Sequence, residues 1–294
     1  MNSALQDFLI YLKDVKNASG NTIASYQQDL KRLFGYLEKQ NVTDTQKINE
    51  TILNSYILNM EREGRSPATV SRHLASIKAF ILYLIKRGIL HEDPTERMHN
   101  PKVEKKAPVT LTLDEIKRLF EEPDVSGYKG IRDKAMLELL YATGIRVSEL
   151  VSLQISDVNI KNKYVTIRNI KNERVIPFGS MAKQALETYL LQARDKFVDK
   201  AESDMLFTNL NGEKMSRQGF WKIMKSYGKE AGITKEITPQ ILRHSFAVHM
   251  MENGADLQSV GELLGHIDVT STQVYMQGRQ KKLREVYVEA HPRA

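Results

Sequence analysis

The sequence predicts a mainly α-helical chain in two domains, with one small antiparallel β-sheet inside the second. Three observations predict it. Apolar residues recur at helical spacing through the first ninety residues, a charged stretch with three prolines and no apolar period covers 91–109, and beyond it short Val-, Ile- and Tyr-bearing runs sit among further helical patterns. A length of 294 residues suits two domains. The expected division is a four-helix bundle over 1–90, a linker over 91–109 and a larger domain over 110–294.

The elements follow from local chemistry. Leu5, Phe8, Leu9 and Leu12 mark a first helix, and after a Ser19-Gly20-Asn21-Thr22 break, Tyr26, Leu30, Leu33, Phe34 and Leu37 mark a second. A third is expected from Ile48 to Glu61. Ser66 as N-cap, Pro67 at the first helical position and the stripe Val70, Leu74, Ile77, Ile81 and Leu84 define a fourth. In the larger domain Thr112-Leu113-Asp114-Glu115 has capping-box spacing, and a helix from Ile131 to Tyr141 meets a left-handed stop at Gly144. Val158–Ile160, Tyr164–Arg168 and Arg174–Phe178 read as strands. Helical patterns return at Met181–Ala193, Ser216–Glu230, Thr238–Met251, Leu257–Leu264 and Thr270–Gln277.

Composition narrows the function classes. With 41% hydrophobic and 27% charged residues the chain is globular rather than disordered, and the absence of cysteine removes disulfides, thiol nucleophiles and cysteine-based metal sites. The N-terminal residues lack a secretory pattern and the longest uninterrupted apolar run, Ala79–Ile85, is too short to span a bilayer, so a cytoplasmic protein is expected. A net charge of +7 favours a polyanionic partner without identifying it. RNA is the weaker option, since no aromatic RNA-binding strand or Gly-X-X-Gly clamp is present. On the polar side of the fourth helix, Ser66, Thr69, Arg72, His73 and Ser76 make a face suited to a DNA groove, with Thr69, Arg72 and Ser76 the candidate contacts; an ordinary solvated face has the same pattern.

Three segments combine caps with residues that bind phosphate or attack it. In Ala142-Thr143-Gly144-Ile145-Arg146-Val147-Ser148-Glu149-Leu150, a helix stop sets Arg146 at the mouth of the next helix. In Thr238-Pro239-Gln240-Ile241-Leu242-Arg243-His244-Ser245-Phe246, Gln240 and Arg243 share a face of the first turns, opposite buried Leu242 and Phe246. In Leu264-Gly265-His266-Ile267-Asp268-Val269-Thr270-Ser271-Thr272-Gln273-Val274-Tyr275, a tight turn carries a histidine and a short helix carries a phenol. Taken singly each reads as an ordinary packed or solvated helix corner.

Together, in this order, the three segments resemble the tyrosine recombinases, in particular their Xer branch, over nearly the whole chain and down to the terminal His291-Pro292-Arg293-Ala294. The resemblance implies a SAM-like helical core-binding domain followed by a catalytic domain, and strand exchange on duplex DNA through a 3′-phosphotyrosyl intermediate. It implies Tyr275 as nucleophile, Arg146 and Arg243 on the phosphate, His266 completing the phosphate contacts or assisting proton transfer, and no metal or other cofactor. Resolution of chromosome dimers and movement of a mobile element are both compatible roles. The implied partners are a DNA recombination site and related recombinase subunits in a synaptic tetramer. Leu283, Val286 and Tyr287, at helical spacing after the tyrosine, suit docking on a neighbouring subunit or packing in cis.

Two positions depart from the family pattern. Gln240 stands where members usually carry histidine, and Asn169, without its flanking glycines, stands where they carry the lysine that protonates the leaving 5′-oxygen. Glutamine donates a hydrogen bond but does not shuttle a proton near neutral pH. Lys171, two residues along and on the same strand face, is the substitute acid, with Arg168 a weaker donor for the same place. The competing reading is therefore a catalytically weakened Xer-like subunit that binds DNA and serves assembly.

Overall fold

In the computed structural model, which describes residues 1–101, 108–168, 173–198 and 203–265, the four expected apolar stripes of the first hundred residues close on one another. The chain divides into two units, Met1–Lys105 and Lys106–Ala294. In the first, α1 (Asn2–Asp14) buries Leu5, Phe8, Leu9 and Leu12. The Ser19 hydroxyl accepts the Thr22 N–H at 3.2 Å and starts α2 (Gly20–Lys39). Helix α3 (Glu50–Arg62) begins after the expected Ile48, because Asn49 caps it, accepting the Ile52 N–H at 3.0 Å, and Thr45–Lys47 forms its own 3-10 turn. Helix α4 (Pro67–Lys86) starts from Ser66 with Pro67 in its first turn, as the sequence indicates. Phe80 of α4 meets Phe8 and Phe34 edge-on at 5.4 and 5.6 Å between ring centres.

Helix α4 is long and apolar enough to cross a membrane, yet its stripe from Val70 to Leu84 is buried in the bundle. The polar side of α4 is also partly internal. Asp29 of α2, 1% exposed, accepts hydrogen bonds from Arg72 at 2.6 Å and Ser76 at 2.8 Å, and lies 3.1 Å from His73 Nε2, whose Nδ1 pairs with the Tyr56 hydroxyl at 3.0 Å. A buried carboxylate needs such partners. Ser76 is fully buried, which corrects its placement on an open DNA-facing surface: Asp29 draws it inward. Thr69 is tied to the Ser66 cap, its hydroxyl 2.9 Å from that of Ser66. The Arg72 side chain remains 46% exposed.

The start of the expected linker is held on the bundle. Asp93 Oδ1 accepts both the Thr95 N–H and hydroxyl, at 2.8 and 2.6 Å, Met98 is buried in the first core, and Lys78 Nζ donates to the Met98 carbonyl at 2.7 Å. An Asx turn followed by one buried methionine has no periodicity for a pattern reading to detect.

The second unit is built around α6 (Tyr128–Thr143), which is buried on nearly all sides. Helix α5 (Leu113–Glu121) carries the expected capping box between Thr112 and Glu115. Inside α6, the Arg132 guanidinium bonds Asp133 at 2.7 and 2.9 Å and the Thr208 carbonyl at 3.1 Å, while Tyr227 donates to the other Asp133 oxygen at 3.0 Å. After the short α7 (Val147–Leu150), β1 (Val158–Asn159), β2 (Tyr164–Arg168) and β3 (Glu173–Pro177) form an antiparallel sheet in the order β1-β2-β3, with Val165 opposite Ile176 and Ile167 opposite Arg174. Then follow α8 (Ser180–Thr188), a wider π-helical turn over Tyr189–Ala193, α9 (Arg194–Phe197), α10 (Arg217–Glu230), α11 (Pro239–Glu252) and α12 (Leu257–Leu264). The helix expected to run unbroken to Ala193 therefore changes pitch at Tyr189, which buries its ring and donates to the Leu206 carbonyl at 2.9 Å. The expected helix over Thr270–Gln277 lies outside the described residues.

Gly144 ends α6 in the left-handed region at φ 59°, and a Cβ there would lie 2.3 Å from a Phe246 ring carbon of α11. Gly144→Ala is expected to cost about 2–4 kcal/mol, combining the left-handed backbone penalty with overpacking. Trp221, the single tryptophan, lies in α10 and reports this unit by fluorescence during urea unfolding; an unchanged midpoint would contradict the assignment.

Candidate functional site

Two left-handed glycines build the site. Gly144 turns the chain out of α6 so that Arg146 heads α7, and Gly265, at φ 63°, ends α12 with its N–H donating to the Glu262 carbonyl at 3.0 Å. The C-terminal end of a helix exposes backbone carbonyls and carries partial negative charge, so it attracts cations. Three guanidiniums meet it.

Arg243, on the inner face of α11, is 3% exposed and donates to the Gly144 carbonyl at 2.6 Å and the Leu264 carbonyl at 2.7 Å. Arg146 approaches the same end from α7 at longer range, 3.5 Å to the Leu264 carbonyl and 3.4 Å to that of Gly265. Its side chain is 43% exposed. Arg174 of β3 donates through Nε to the Leu263 carbonyl at 3.1 Å and through both terminal nitrogens to Glu149, at 3.0 and 2.9 Å. Glu149 also closes the first turn of α7, accepting the Arg146 N–H at 2.8 Å, and lies 3.4 Å from the Arg146 guanidinium. A Cβ on Gly265 would stand 2.8 Å from the Arg174 guanidinium carbon, so the close approach needs glycine.

Thus Arg146 and Arg243, far apart in sequence, come together at one helix end, Arg243 held by short bonds and Arg146 by longer ones. Gln240 sits exposed in the first turn of α11, one turn before Arg243. Arg168, at the end of β2, is ion-paired to Asp157 at 3.3 Å. His266, Tyr275, Lys171 and Asn169 lie outside the described residues, as do Leu283, Val286 and Tyr287; the described chain stops at Gly265, directly before His266. Glu149 and Arg174 were not among the residues singled out from sequence. An Arg-X-X-Glu at capping-box spacing was the available signal for Glu149; Arg174 belongs to the Glu173-Arg174 pair that aligns the strand with the family pattern, but its partners come from other elements.

The chain matches two family models, the phage integrase N-terminal SAM-like domain over residues 5–88 and the phage integrase family over residues 109–282. The chain belongs to the phage integrase family of tyrosine recombinases. Among curated relatives, tyrosine recombinase XerD of Listeria innocua is 42% identical over 297 residues, covering 100% of both chains, and XerD of Oceanobacillus iheyensis is 43% identical over 294 residues, covering 99% of each. Among solved structures, XerA recombinase is 27% identical with a TM-score of 0.56, covering 100% of this chain and 99% of that one. XerH bound to a palindromic difH substrate is 21% identical with a TM-score of 0.76, covering 96% and 83%, and shares the fold. The helical N-terminal domain and the helical catalytic domain with its small sheet are those of the phage integrase family, as the sequence resemblance implied.

Beside Arg243, burial and then the arginine's charge lower the His244 pKa from the ordinary 6.5. The unfolded chain therefore protonates here first, and the stability contributed by neutral His244 is present above about pH 6.5 and lost as pH falls toward the folded value. Between pH 7 and about pH 5.5 the urea midpoint read by Trp221 is expected to drop, and His244→Asn to reduce that drop. An equal drop in the variant would contradict this.

Proposed function

We propose that the chain cuts and rejoins duplex DNA at a specific site, with Arg146 and Arg243 gripping the phosphate that Tyr275 attacks. The observation that supports this is the meeting of Arg146 and Arg243 at the end of α12, next to the residue that precedes His266. A phosphodiester under attack gathers charge on its nonbridging oxygens, and paired guanidiniums match those oxygens in charge and geometry. The long Arg146 contacts suit exchange of backbone carbonyls for phosphate oxygens, whereas the short Arg243 bonds keep its plane fixed.

The reaction conserves the phosphodiester. The Tyr275 oxygen bonds to phosphorus as the bond to the 5′-oxygen breaks, the tyrosine gives up its proton, and the leaving oxygen takes one up. In the second half a 5′-hydroxyl attacks the phosphotyrosine and the steps reverse, so no external energy source enters. His266 assists at the phosphate, Lys171 is the acid for the leaving oxygen, and Gln240 contributes a hydrogen bond in place of a protonatable group. Arg168, already paired with Asp157, is the poorer acid.

Arg72 and Thr69 in the first unit are proposed to meet the same DNA. The partners are related recombinase subunits in a synaptic tetramer, with Leu283, Val286 and Tyr287 docking on a neighbour, and the setting is the cytoplasm at the nucleoid. The role is chromosome-dimer resolution or mobile-element integration and excision. The weaker reading, a DNA-binding and assembly subunit with little catalysis, rests on Gln240 and Asn169 alone.

A nicked duplex carrying the site recovered by genomic footprinting should trap a covalent adduct with the wild type. Tyr275→Phe should abolish the adduct with DNA affinity within about threefold, and Arg146→Lys should slow its formation by about 100-fold, the typical loss for one transition-state donor. No wild-type adduct on that site would overturn the enzymatic reading. Rate gains in Gln240→His and Asn169→Lys would show that those two positions set the speed.

A further inference from the structure

We propose that Arg174 is a positioning residue for the phosphate-binding pair: it occupies Glu149 so that Arg146 stays available for phosphate, and it ties the end of α12 to β3. The proposal deepens the recombinase reading and rests on it for its kinetic consequences. The geometry that carries it is the competition of two guanidiniums for one carboxylate. Arg174 holds Glu149 through two parallel bonds of 2.9 and 3.0 Å, while Arg146 reaches the same carboxylate at 3.4 Å with one nitrogen. Two-pronged guanidinium–carboxylate bonds are the stronger kind, so Glu149 spends its charge on Arg174. The Glu149 side chain is 7% exposed and that of Arg174 14%, whereas that of Arg146 is 43% exposed. The pair is shielded and the phosphate-facing arginine is open.

The Glu149 carboxylate is required for a separate reason, since it accepts the Arg146 N–H at 2.8 Å and so fixes the start of α7. Without Arg174 that carboxylate would draw the Arg146 side chain closer and withdraw it from phosphate. Arg174 resolves the conflict. Through its Nε bond to the Leu263 carbonyl it also fixes the last turn of α12, and with it the point where the chain leads into His266.

The test is a double-mutant cycle on adduct formation at saturating nicked DNA, together with hydrogen exchange of residues 257–265 in the free protein. Arg174→Ala should slow adduct formation at least tenfold while DNA affinity changes by less than threefold, and should speed exchange of 257–265. Glu149→Gln keeps an oxygen for the Arg146 N–H and removes the competing charge; added to Arg174→Ala it should recover several-fold of the lost rate. Arg174→Lys, a single-pronged cation, should fall between wild type and Arg174→Ala. A merely structural Arg174 predicts the opposite, a double variant slower than either single one, and that result overturns the proposal. A rate for Arg174→Ala within twofold of wild type overturns it too. Should the wild type form no adduct, the recombinase reading fails by itself, and the exchange arm still decides: unchanged exchange of 257–265 in Arg174→Ala contradicts the tie to α12, and faster exchange supports it.

Discussion

The backbone carbonyls at the C-terminal end of α12 are the constraint around which the catalytic unit is organised. Leu263, Leu264 and Gly265 present their oxygens where the helix can no longer satisfy them, and arginines from α7, β3 and α11 supply the donors. Those elements are distant in the chain. The shared target sets their guanidiniums beside one another despite mutual repulsion, with Glu149 offsetting part of the positive charge. Placing cations this way leaves an excess of positive charge at the helix end, which suits an anion.

Both ends of this arrangement depend on glycine. Gly144 lets α6 stop against Phe246 of α11, which brings Arg146 to the site and gives Arg243 a carbonyl to hold. Gly265 lets Arg174 lie flat against the turn. Arg243 and Arg174 are thus held by short backbone and carboxylate bonds, whereas Arg146 keeps longer contacts and an exposed side chain. The bundle of the first unit follows the same economy with opposite sign: a buried aspartate, Asp29, gathers Arg72, Ser76 and His73.

Much of this was legible in the sequence because the signals are local. The Ser66, Thr112 and Thr238 caps, the glycine stops and the strand runs each sit within a few residues of the structure they specify, and the structure places elements there. Arg146 and Arg243 could be singled out because each lies in a capped segment that, together with the third, resembles the motifs of the family. What escaped was long-range. Ser76 looks like a surface residue until Asp29 of another helix is found beside it, and Arg174 looks like an ordinary strand residue until Glu149 and Leu263 are placed around it. The Asx turn at Asp93 and the change of pitch at Tyr189 leave no periodic trace, since each depends on a few packed contacts rather than on a repeating pattern.

Whether the guanidinium charge acts on phosphate charge can be measured directly. Replacing one nonbridging oxygen of the cleaved phosphate by a methyl group removes its negative charge while leaving the tyrosine's target in place. The ratio of adduct-formation rates, wild type over Arg146→Ala, is then measured on the natural and the methylated site. The ratio should be large on the natural phosphate and collapse toward one on the neutral substrate. An equally large ratio on both would show that Arg146 serves the fold or the DNA grip, and would contradict a direct action of Arg146 on the phosphate charge.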